Sequence, residues 1–544
     1  MRTQPTNVIQ ELIRAQGEHG YLGREVLVSL SRRLRVPRHR LQELVSYYPH
    51  LRATPPAEVT VTVCRDVSCY LGGAEGLAVR LRQALGDDGR FAVEEVSCLG
   101  YCDLAPAVMV NGVPVQVANL EETVRALLQG VDAPPPRTPR RWASDPYIDE
   151  SERYAALRKV VQAWSQRASR DSVVASLSDA GLRGMGGAGF PTGRKWELVR
   201  ATRAEQKYVI CNADESEPGT FKDRIILEEL PHMVIEGMAL DAFTVGASKG
   251  YIYIRHEYEA AREALERELT RARLAGALGV NVFGSGLDFD IEVFVSPGGY
   301  ILGEETALLE ALEGRRGEPR NKPPYPGQAG LWGMPTLINN VETLAVAPAI
   351  ALLGADWWRA QGRGGSTGLK FMAVSGHVER PGVFQVPFGS TVAELLERAG
   401  GVSGGRALKA FTPGGASSNF LPASALDTPL DFASLEEAGS MLGSGALVVV
   451  AEGTPMAPLA ANLVRFFRNE SCGKCVPCRV GTQKAVLLLE DAITTQTPLD
   501  AEGFRRLRRV LEEASICGLG HVALNPLVSI LEHWPEELET GGGA

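Results

Sequence analysis

A chain of 544 residues, 44% hydrophobic and 22% charged, is long enough for three or more domains and has the balance of an ordinary globular protein. Its formal net charge of -9 supplies no basic field for nucleic acid or an anionic membrane. Residues 1–7 carry no apolar core of signal-peptide length, and the most apolar run, Leu344 to Gly354, is far short of the roughly 20 residues of a spanning helix, so a cytoplasmic protein without membrane insertion is expected.

Residues 1–55 read as helical, with Val8, Ile9, Leu12 and Ile13 at helical spacing and the same period from Arg24 to Leu34 and Arg38 to Tyr48. A docking surface is the expected role. From Val59 the pattern turns to a strand that delivers the chain to Cys64-Arg-Asp-Val-Ser-Cys69. A helix from Ala74 to Leu85, a strand Phe91 to Val96, Cys98-Leu-Gly-Tyr-Cys102 and a strand-turn-strand at Val108 to Val115 follow. This order over 56–132 suggests a thioredoxin-like layer with its cysteines on loops. Four thiolates at C-x4-C and C-x3-C spacing suit a [2Fe–2S] cluster, with structural zinc as the other reading. Because the cytosol keeps thiols reduced, metal explains the nine cysteines better than disulfides do. The stiff Ala133-Pro-Pro-Pro-Arg-Thr-Pro marks a boundary, and 133–170 reads as linker and helix.

An α/β domain is expected over 171–355. Val173, Val174, Leu177 and Ala180 share one helical face. Five glycines follow within Gly181 to Gly189, in a loop that continues through Phe190, Pro191, Lys195 and Trp196. Glycines let main-chain N–H groups approach a phosphate or ring system, so this is a cofactor loop. Gly184, Gly186 and Gly189 spell G-x-G-x-x-G, but a helix rather than a strand precedes them, against a standard dinucleotide fingerprint. Strands are expected at Tyr208 to Cys211, Tyr251 to Arg255 and Ile291 to Ser296. Each runs into a Gly-rich or polar loop, among them Asn212-Ala-Asp214-Glu215-Ser-Glu217 and Gly303-Glu304-Glu305, and together they argue one shared crevice. The acids serve either as helix caps and solvated groups or as acceptors for ribose and flavin hydroxyls, the latter favouring NADH over NADPH. Residues 320–326 and 330–343 read as too rich in proline and amides for regular structure.

From Lys370 two strands and the helix Val392 to Ala399 suggest a β-grasp module over 365–453, with His377 structural. Residues 454–544 read as helical and carry Cys472-Gly-Lys-Cys475-Val-Pro-Cys478 with Cys517 downstream. C-x2-C-x2-C plus a distant cysteine is the spacing of a [4Fe–4S] cluster.

These motifs resemble the NADH-oxidising flavoprotein of respiratory complex I and its relatives in NAD-reducing hydrogenases and NAD-dependent formate dehydrogenases. The resemblance covers 150–544, through Gly181 to Trp196, Cys211 to Thr220, Gly298 to Ala307, Lys322 to Pro326, Gly333 to Thr343 and Glu470 to Arg479 with Cys517. Residues 1–130 resemble the small [2Fe–2S] subunit of the same machinery, here fused. The resemblance implies an α/β multidomain protein: a thioredoxin-like domain, a Rossmann-like domain for FMN and NAD(H), an SLBB-like β-grasp domain and a C-terminal helical bundle. It implies FMN held by Gly184, Gly186, Lys195, Asn212, Asp214, Glu215, Tyr300, Gly303, Glu304, Asn339, Asn340 and Thr343, with Gly187 and Gly189 also among the cofactor-binding residues. Phe190, Glu217, Glu305, Lys322 and Tyr325 would hold the nicotinamide nucleotide. The metal ligands would be Cys64, Cys69, Cys98 and Cys102 for [2Fe–2S], and Cys472, Cys475, Cys478 and Cys517 for [4Fe–4S]. Met185, Leu198 and Tyr325 depart from the family's common arginine and aromatic residues. The expected activity is NADH:acceptor oxidoreduction, with a non-catalytic iron–sulfur scaffold or redox sensor as the alternative of another class. The expected partner is the molybdenum- or tungsten-containing catalytic subunit of a formate dehydrogenase, followed by a hydrogenase and then by complex I subunits.

Overall fold

The computed structural model describes residues 7–86, 89–115, 140–164 and 169–539; the proline-rich stretch at 133–139 lies outside them. Three helices open the described chain, α1 (Val8–His19), α2 (Arg24–Leu34) and α3 (Arg38–Tyr47). Asn7 caps α1 by accepting from the Ile9 and Gln10 N–H groups. The helices pack on the central domain: Gln10 Nε2 donates to Val295 O at 2.8 Å, and Tyr47 and Tyr48 hydroxyls donate to Gly317 O and Arg315 O at 2.9 and 2.5 Å.

The next layer has β1 (Val59–Cys64), α4 (Val67–Leu71), α5 (Leu77–Leu85), β2 (Phe91–Val96), β3 (Val108–Val110) and β4 (Val113–Val115). Its sheet runs β2-β1-β3-β4, with β1 and β2 parallel and the other pairs antiparallel. Alternating Val59, Val61 and Val63 face Leu77, Ala78 and Leu81, so period-2 patterning meets one helix face. The helix expected from Ala74 begins at Leu77, after the left-handed Gly76.

The central domain holds α6 (Ala155–Trp164), α7 (Ser169–Asp179), α8 (Thr192–Ala201), β5 (Tyr208–Ala213), α9 (Lys222–Glu229), α10 (Pro231–Val245), β6 (Lys249–Arg255), α11 (Glu259–Leu274), β7 (Asp290–Ser296), α12 (Glu305–Leu312), β8 (Thr336–Asn340) and α13 (Val341–Leu353). Its sheet is parallel throughout, in the order β7-β6-β5-β8. The chain leaves β5 toward β6 and β7 on one side and returns to β8 on the other. That reversal opens a crevice at the carboxyl ends of β5 and β8, where open α/β sheets take ligands.

β8 and α13 correct the expectation of irregular structure through Thr343. The strand's apolar run is only Leu337 and Ile338, too short to announce itself; the paired β5, with Tyr208 opposite Thr336, supplies its hydrogen-bond ladder. α13 is the apolar run that begins at Leu344. It packs on α10, is buried nearly all round, and is much shorter than a membrane span. No helix among the described residues is long and apolar enough to cross a membrane.

A third sheet, from β9 (Leu369–Gly376), β10 (Gly382–Pro387), β11 (Leu408–Thr412), β12 (Leu421–Pro422) and β13 (Ala446–Ala451), runs β10-β9-β13-β11-β12, with α14 (Val392–Arg398) against it. Only β9 and β13 pair in parallel. His377 is structural, its imidazole lying 3.1 Å from both Leu71 O and the Ala451 N–H. The helices α15 (Met456–Asn469), α16 (Val476–Thr495), α17 (Ala501–Ala514), α18 (Gly518–Val522) and α19 (Asn525–His533) follow. Leu459, Leu463, Phe467, Leu489, Leu527 and Leu531 bury their common face.

Candidate functional site

The glycine loop is closed as a hairpin. Gly184 N–H donates to Phe190 O and Thr192 N–H to Leu182 O, both at 2.8 Å. α7 precedes it and α8 follows it, so the loop is not the strand-to-helix turn of a dinucleotide fingerprint. Its glycines meet close neighbours: a Cβ on Gly186 would sit 3.0 Å from Asn340 Cβ, and one on Gly189, whose φ is +62°, 2.9 Å from the Phe432 ring. The Met185 N–H donates to Thr343 Oγ1 at 2.9 Å, which fixes the loop to α13.

Opposite the loop lies a 240 Å³ cavity lined by Gly186, Asn212, Asp214, Glu215, Glu217, Tyr300, Gly303, Glu304 and Asn340, together with Thr220, Ser444 and Leu519. The structure thus brings nine of the expected cofactor residues to one crevice. Asn212 Nδ2 donates to Gly303 O at 2.8 Å and joins the end of β5 to the turn before α12. Asp214 is buried, and its Oδ1 has no hydrogen-bond partner within the protein. An unpaired buried carboxylate oxygen in a polar crevice calls for an outside donor. Burial raises the Asp214 carboxyl to about 7 and the Glu217 carboxyl likewise to about 7.

Other expected residues have different partners. Glu215 accepts from the Asp223 and Arg224 N–H groups at 2.8 and 3.0 Å, capping α9, and from Tyr258 OH at 3.1 Å. Glu304 caps α12 through the Thr306 and Ala307 N–H groups, both at 2.9 Å. Asn339 is turned into the core, where its Nδ2 donates to Asp241 at 2.8 Å. Asn340 caps α13 through the Glu342 N–H and donates to Asp223 at 2.7 Å. Lys195 Nζ donates to Ile338 O at 2.5 Å, and burial lowers its amine against the pull of Glu305 and Asp241. Lys322 Nζ lies 2.9 Å from Glu304 and 2.7 Å from Glu305. The Phe190 and Tyr325 rings are 45% and 57% exposed, which leaves apolar surface free to take a stacked ring.

The first cysteine set converges. Cys64, Cys69, Cys98 and Cys102 are all buried, and the Cys98 and Cys102 sulfurs lie 3.9 Å apart. The neighbouring Cys69 and Cys98 sulfurs, then burial, hold the Cys64 thiol well above the usual range, while Cys102 and Cys64 hold Cys98 well below it. Gly100 and Ala107 N–H groups donate to the Cys98 and Cys69 sulfurs at 3.4 and 3.3 Å, as expected around cluster thiolates. In the second set, Cys472 lies in the turn before α16, Cys475 is its N-cap and Cys478 stands in its first turn with Ser471 Oγ 3.2 Å from Cys478 Sγ, and Cys517 precedes α18. Burial raises Cys478 to about 11 and Cys517 to about 12, so both are neutral thiols until a metal takes the proton's place.

Several groups in this region were missed in the sequence. Arg255, at the end of β6, is buried and donates to Cys98 O at 2.6 Å, Glu215 O at 2.5 Å and Glu257. Arg224 donates to Gly100 O at 3.1 Å and Asp103 at 2.6 Å. The two guanidinium groups fasten the [2Fe–2S] loop to the acidic loop. Beneath the crevice, Lys222 Nζ lies 2.6 Å from Asp223 and 2.9 Å from Glu342, which also holds Lys370 of β9 at 2.5 Å. Burial lowers the Lys370 amine to about 8. A position at a strand's carboxyl end was the one available signal, for Arg255; Ser444 and Lys370 come from another domain and had none.

Family models agree with this layout. The Nuo51 FMN-binding domain matches residues 177–349, a thioredoxin-like [2Fe–2S] ferredoxin 1–132, the NADH-ubiquinone oxidoreductase-F iron–sulfur binding region 458–541, and an SLBB domain 371–418. The chain is 45% identical over 387 residues to an NADH-quinone oxidoreductase F-type subunit of Rhizobium meliloti, covering 71% of this chain and 91% of that protein. It is 43% identical over 370 residues to the HndC subunit of the NADP-reducing hydrogenase of Solidesulfovibrio fructosivorans, covering 68% and 75%. A solved NAD+-reducing [NiFe]-hydrogenase, air-oxidised, superposes with a TM-score of 0.85 at 32% identity, over 97% of this chain and 92% of that one. The chain belongs to the family of F-type subunits of NADH-quinone oxidoreductase: it is an NADH-acting flavoprotein carrying FMN, [2Fe–2S] and [4Fe–4S] domains on one polypeptide.

Proposed function

We propose that the chain is the NAD(H)-facing diaphorase subunit of a multi-subunit oxidoreductase, passing electrons between NAD(H) and a partner that carries the substrate chemistry. One observation carries this reading: a glycine loop, an acidic loop and two cysteine sets are held against one another in a single chain. Bound FMN supplies the conversion between a two-electron hydride and the one-electron steps of clusters.

The residues have separate tasks in this reading. Gly186 and Gly303 let backbone reach the ring system, Asn212 and Asp214 supply polar contacts to it, and Lys195, Asn340 and Thr343 hold the loops that do so. Phe190, Tyr325 and Glu217 take the nicotinamide nucleotide, and the Glu304, Glu305 and Lys322 group reads its ribose. A cytoplasmic setting goes with this reading, because the ligating thiols must stay reduced until metal is inserted.

The full-length similarity to an NAD+-reducing [NiFe]-hydrogenase favours a hydrogenase-type partner as the first to test. A formate dehydrogenase catalytic subunit is the second, resting on the fused module order, and complex I subunits the third. The native complex, isolated anaerobically through a tag on this chain, should reduce NAD+ with hydrogen or with formate, and the active donor names the partner. If neither works while NADH still reduces an artificial dye, a quinone-reducing complex becomes the partner. A preparation in which NADH leaves the flavin absorbance unchanged would overturn the diaphorase reading.

A further inference from the structure

The acidic loop is fastened at one end from within the central domain and at the other by the β-grasp domain. The Glu215 carbonyl accepts from Arg255 of β6, which also donates to Cys98 O of the [2Fe–2S] loop. Residues 217–220 are held by the β-grasp domain: the Ser417 N–H donates to Glu217 Oε1 at 2.8 Å, the Ala416 N–H to Pro218 O at 3.2 Å, and the Thr220 and Ser444 hydroxyls lie 2.7 Å apart. No slack remains between the two segments. A Cβ on Gly219 would meet Val448 Cγ2 at 2.6 Å, and one on Gly415, whose φ is +85°, would meet the Glu217 carboxyl at 3.1 Å.

The segment that makes these contacts is itself braced. The Gly415 N–H donates to Ala446 O at 2.9 Å, and Ser418 Oγ donates to Gly415 O at 2.8 Å. The Ser417 carbonyl accepts from Asn525 Nδ2 at 3.2 Å and the Phe420 N–H donates to Ser529 Oγ at 2.9 Å, both from α19. Such a turn fixes whatever it touches. Ordinary interdomain packing would bury apolar side chains here; the turn instead places a main-chain donor on a carboxylate that lines the crevice.

We propose that the β-grasp domain forms one wall of the nucleotide crevice, and that its 415–418 turn positions Glu217 for the nicotinamide nucleotide. The inference rests on the proposed function, in which Glu217 faces that nucleotide. Glu217 is lifted toward neutrality by burial, and the Ser417 hydrogen bonds work against that lift, so the turn also favours the ionised acceptor.

Gly415→Ala pushes a methyl group toward the carboxyl, and Ser417→Ala, a milder change that keeps the fold if the first does not, removes the hydroxyl beside it. Each should raise the Kd for NAD+, measured by titration calorimetry, and the KM for NADH. The expected rise is about tenfold for the first and about threefold for the second, with kcat and flavin content unchanged. In a Glu217→Gln background neither should add to the effect of that change, because the turn acts through the carboxylate. Asn419→Ala in the same loop, where the side chain donates to Gly439 O away from the crevice, should leave both constants unaltered. Unchanged Kd and KM in flavin-loaded Gly415→Ala and Ser417→Ala, or the same increment with and without Glu217, would overturn the positioning role. If NADH fails to bleach the flavin of the unmodified chain, it is the diaphorase reading that falls.

Discussion

At the scale of single residues the acids of the crevice have distinct electrostatic duties. Glu304, Glu305 and Lys322 form one group in which two carboxylates against one ammonium leave a single net negative charge. Glu305→Gln removes it, and with it the repulsion of a 2′-phosphate. The kcat/KM ratio of NADH over NADPH should fall about tenfold, a value set by roughly one unit charge a few ångströms away in a half-buried site. An unaltered ratio would mean that the group does not face the ribose. Glu217 behaves differently because burial lifts its carboxyl to about 7, against about 4.3 in an unfolded chain. A raised carboxyl stabilises the fold fully below the unfolded value, and that contribution is lost as pH rises through 7. Glu217→Gln stays neutral throughout. Its stability relative to the parent should therefore be about 2–3 kcal/mol more favourable at pH 8 than at pH 5 in denaturant unfolding. The acids were visible in the sequence as a cluster; which of them cap helices was not, because Glu215 caps a helix that begins seven residues later.

Among elements, the decisive contacts join segments far apart in the chain. Arg224 on α9 and Arg255 at the end of β6 hold residues 98–103, and Gly100 sits so close to Tyr258 that a Cβ there would lie 2.4 Å from the ring. Arg224→Met breaks the buried ion pair with Asp103, 5% exposed and 2.6 Å away, and removing one member of such a pair costs about 3–5 kcal/mol. Chemical denaturation of the variant should show that loss, with the [2Fe–2S] absorbance fading before the flavin signal. A coincident, parent-like transition would mean that the arginine is not a fastening. The strands rich in β-branched and aromatic residues, β1, β6 and β7, were legible from period and composition. β8 was not, since its ladder is borrowed from β5 and its last two residues are amides.

For the whole molecule, the layout brings the [4Fe–4S] cysteines to the flavin crevice: Gly518 and Leu519, the residues after Cys517, line the cavity itself, and Glu470 Oε2 accepts from the Tyr300 N–H at 2.8 Å. Cys517→Ala should keep part of the NADH-to-dye activity and abolish electron delivery to the partner subunit. Full delivery by that variant would place the exit elsewhere. The N-terminal helices, the thioredoxin-like layer and the β-grasp domain all press on the central domain, so a change in any of them can reach the crevice.

Taken alone, the sequence determined what depends on local pattern. Cysteine spacing selected the clusters, glycine density selected the cofactor loop, and hydrophobic period selected most helices and strands, because each of these is set by residues within a few positions of one another. Only the tertiary structure decided where the remaining partners come from. The reversal of strand order between β5 and β8, the arginine fastenings, the buried Lys222, Glu342 and Lys370 cluster and the Ser417 contact to Glu217 join residues from 28 to 200 positions apart. Such pairings are fixed by packing three sheets and a helical bundle into one body, a constraint that no short window of sequence contains.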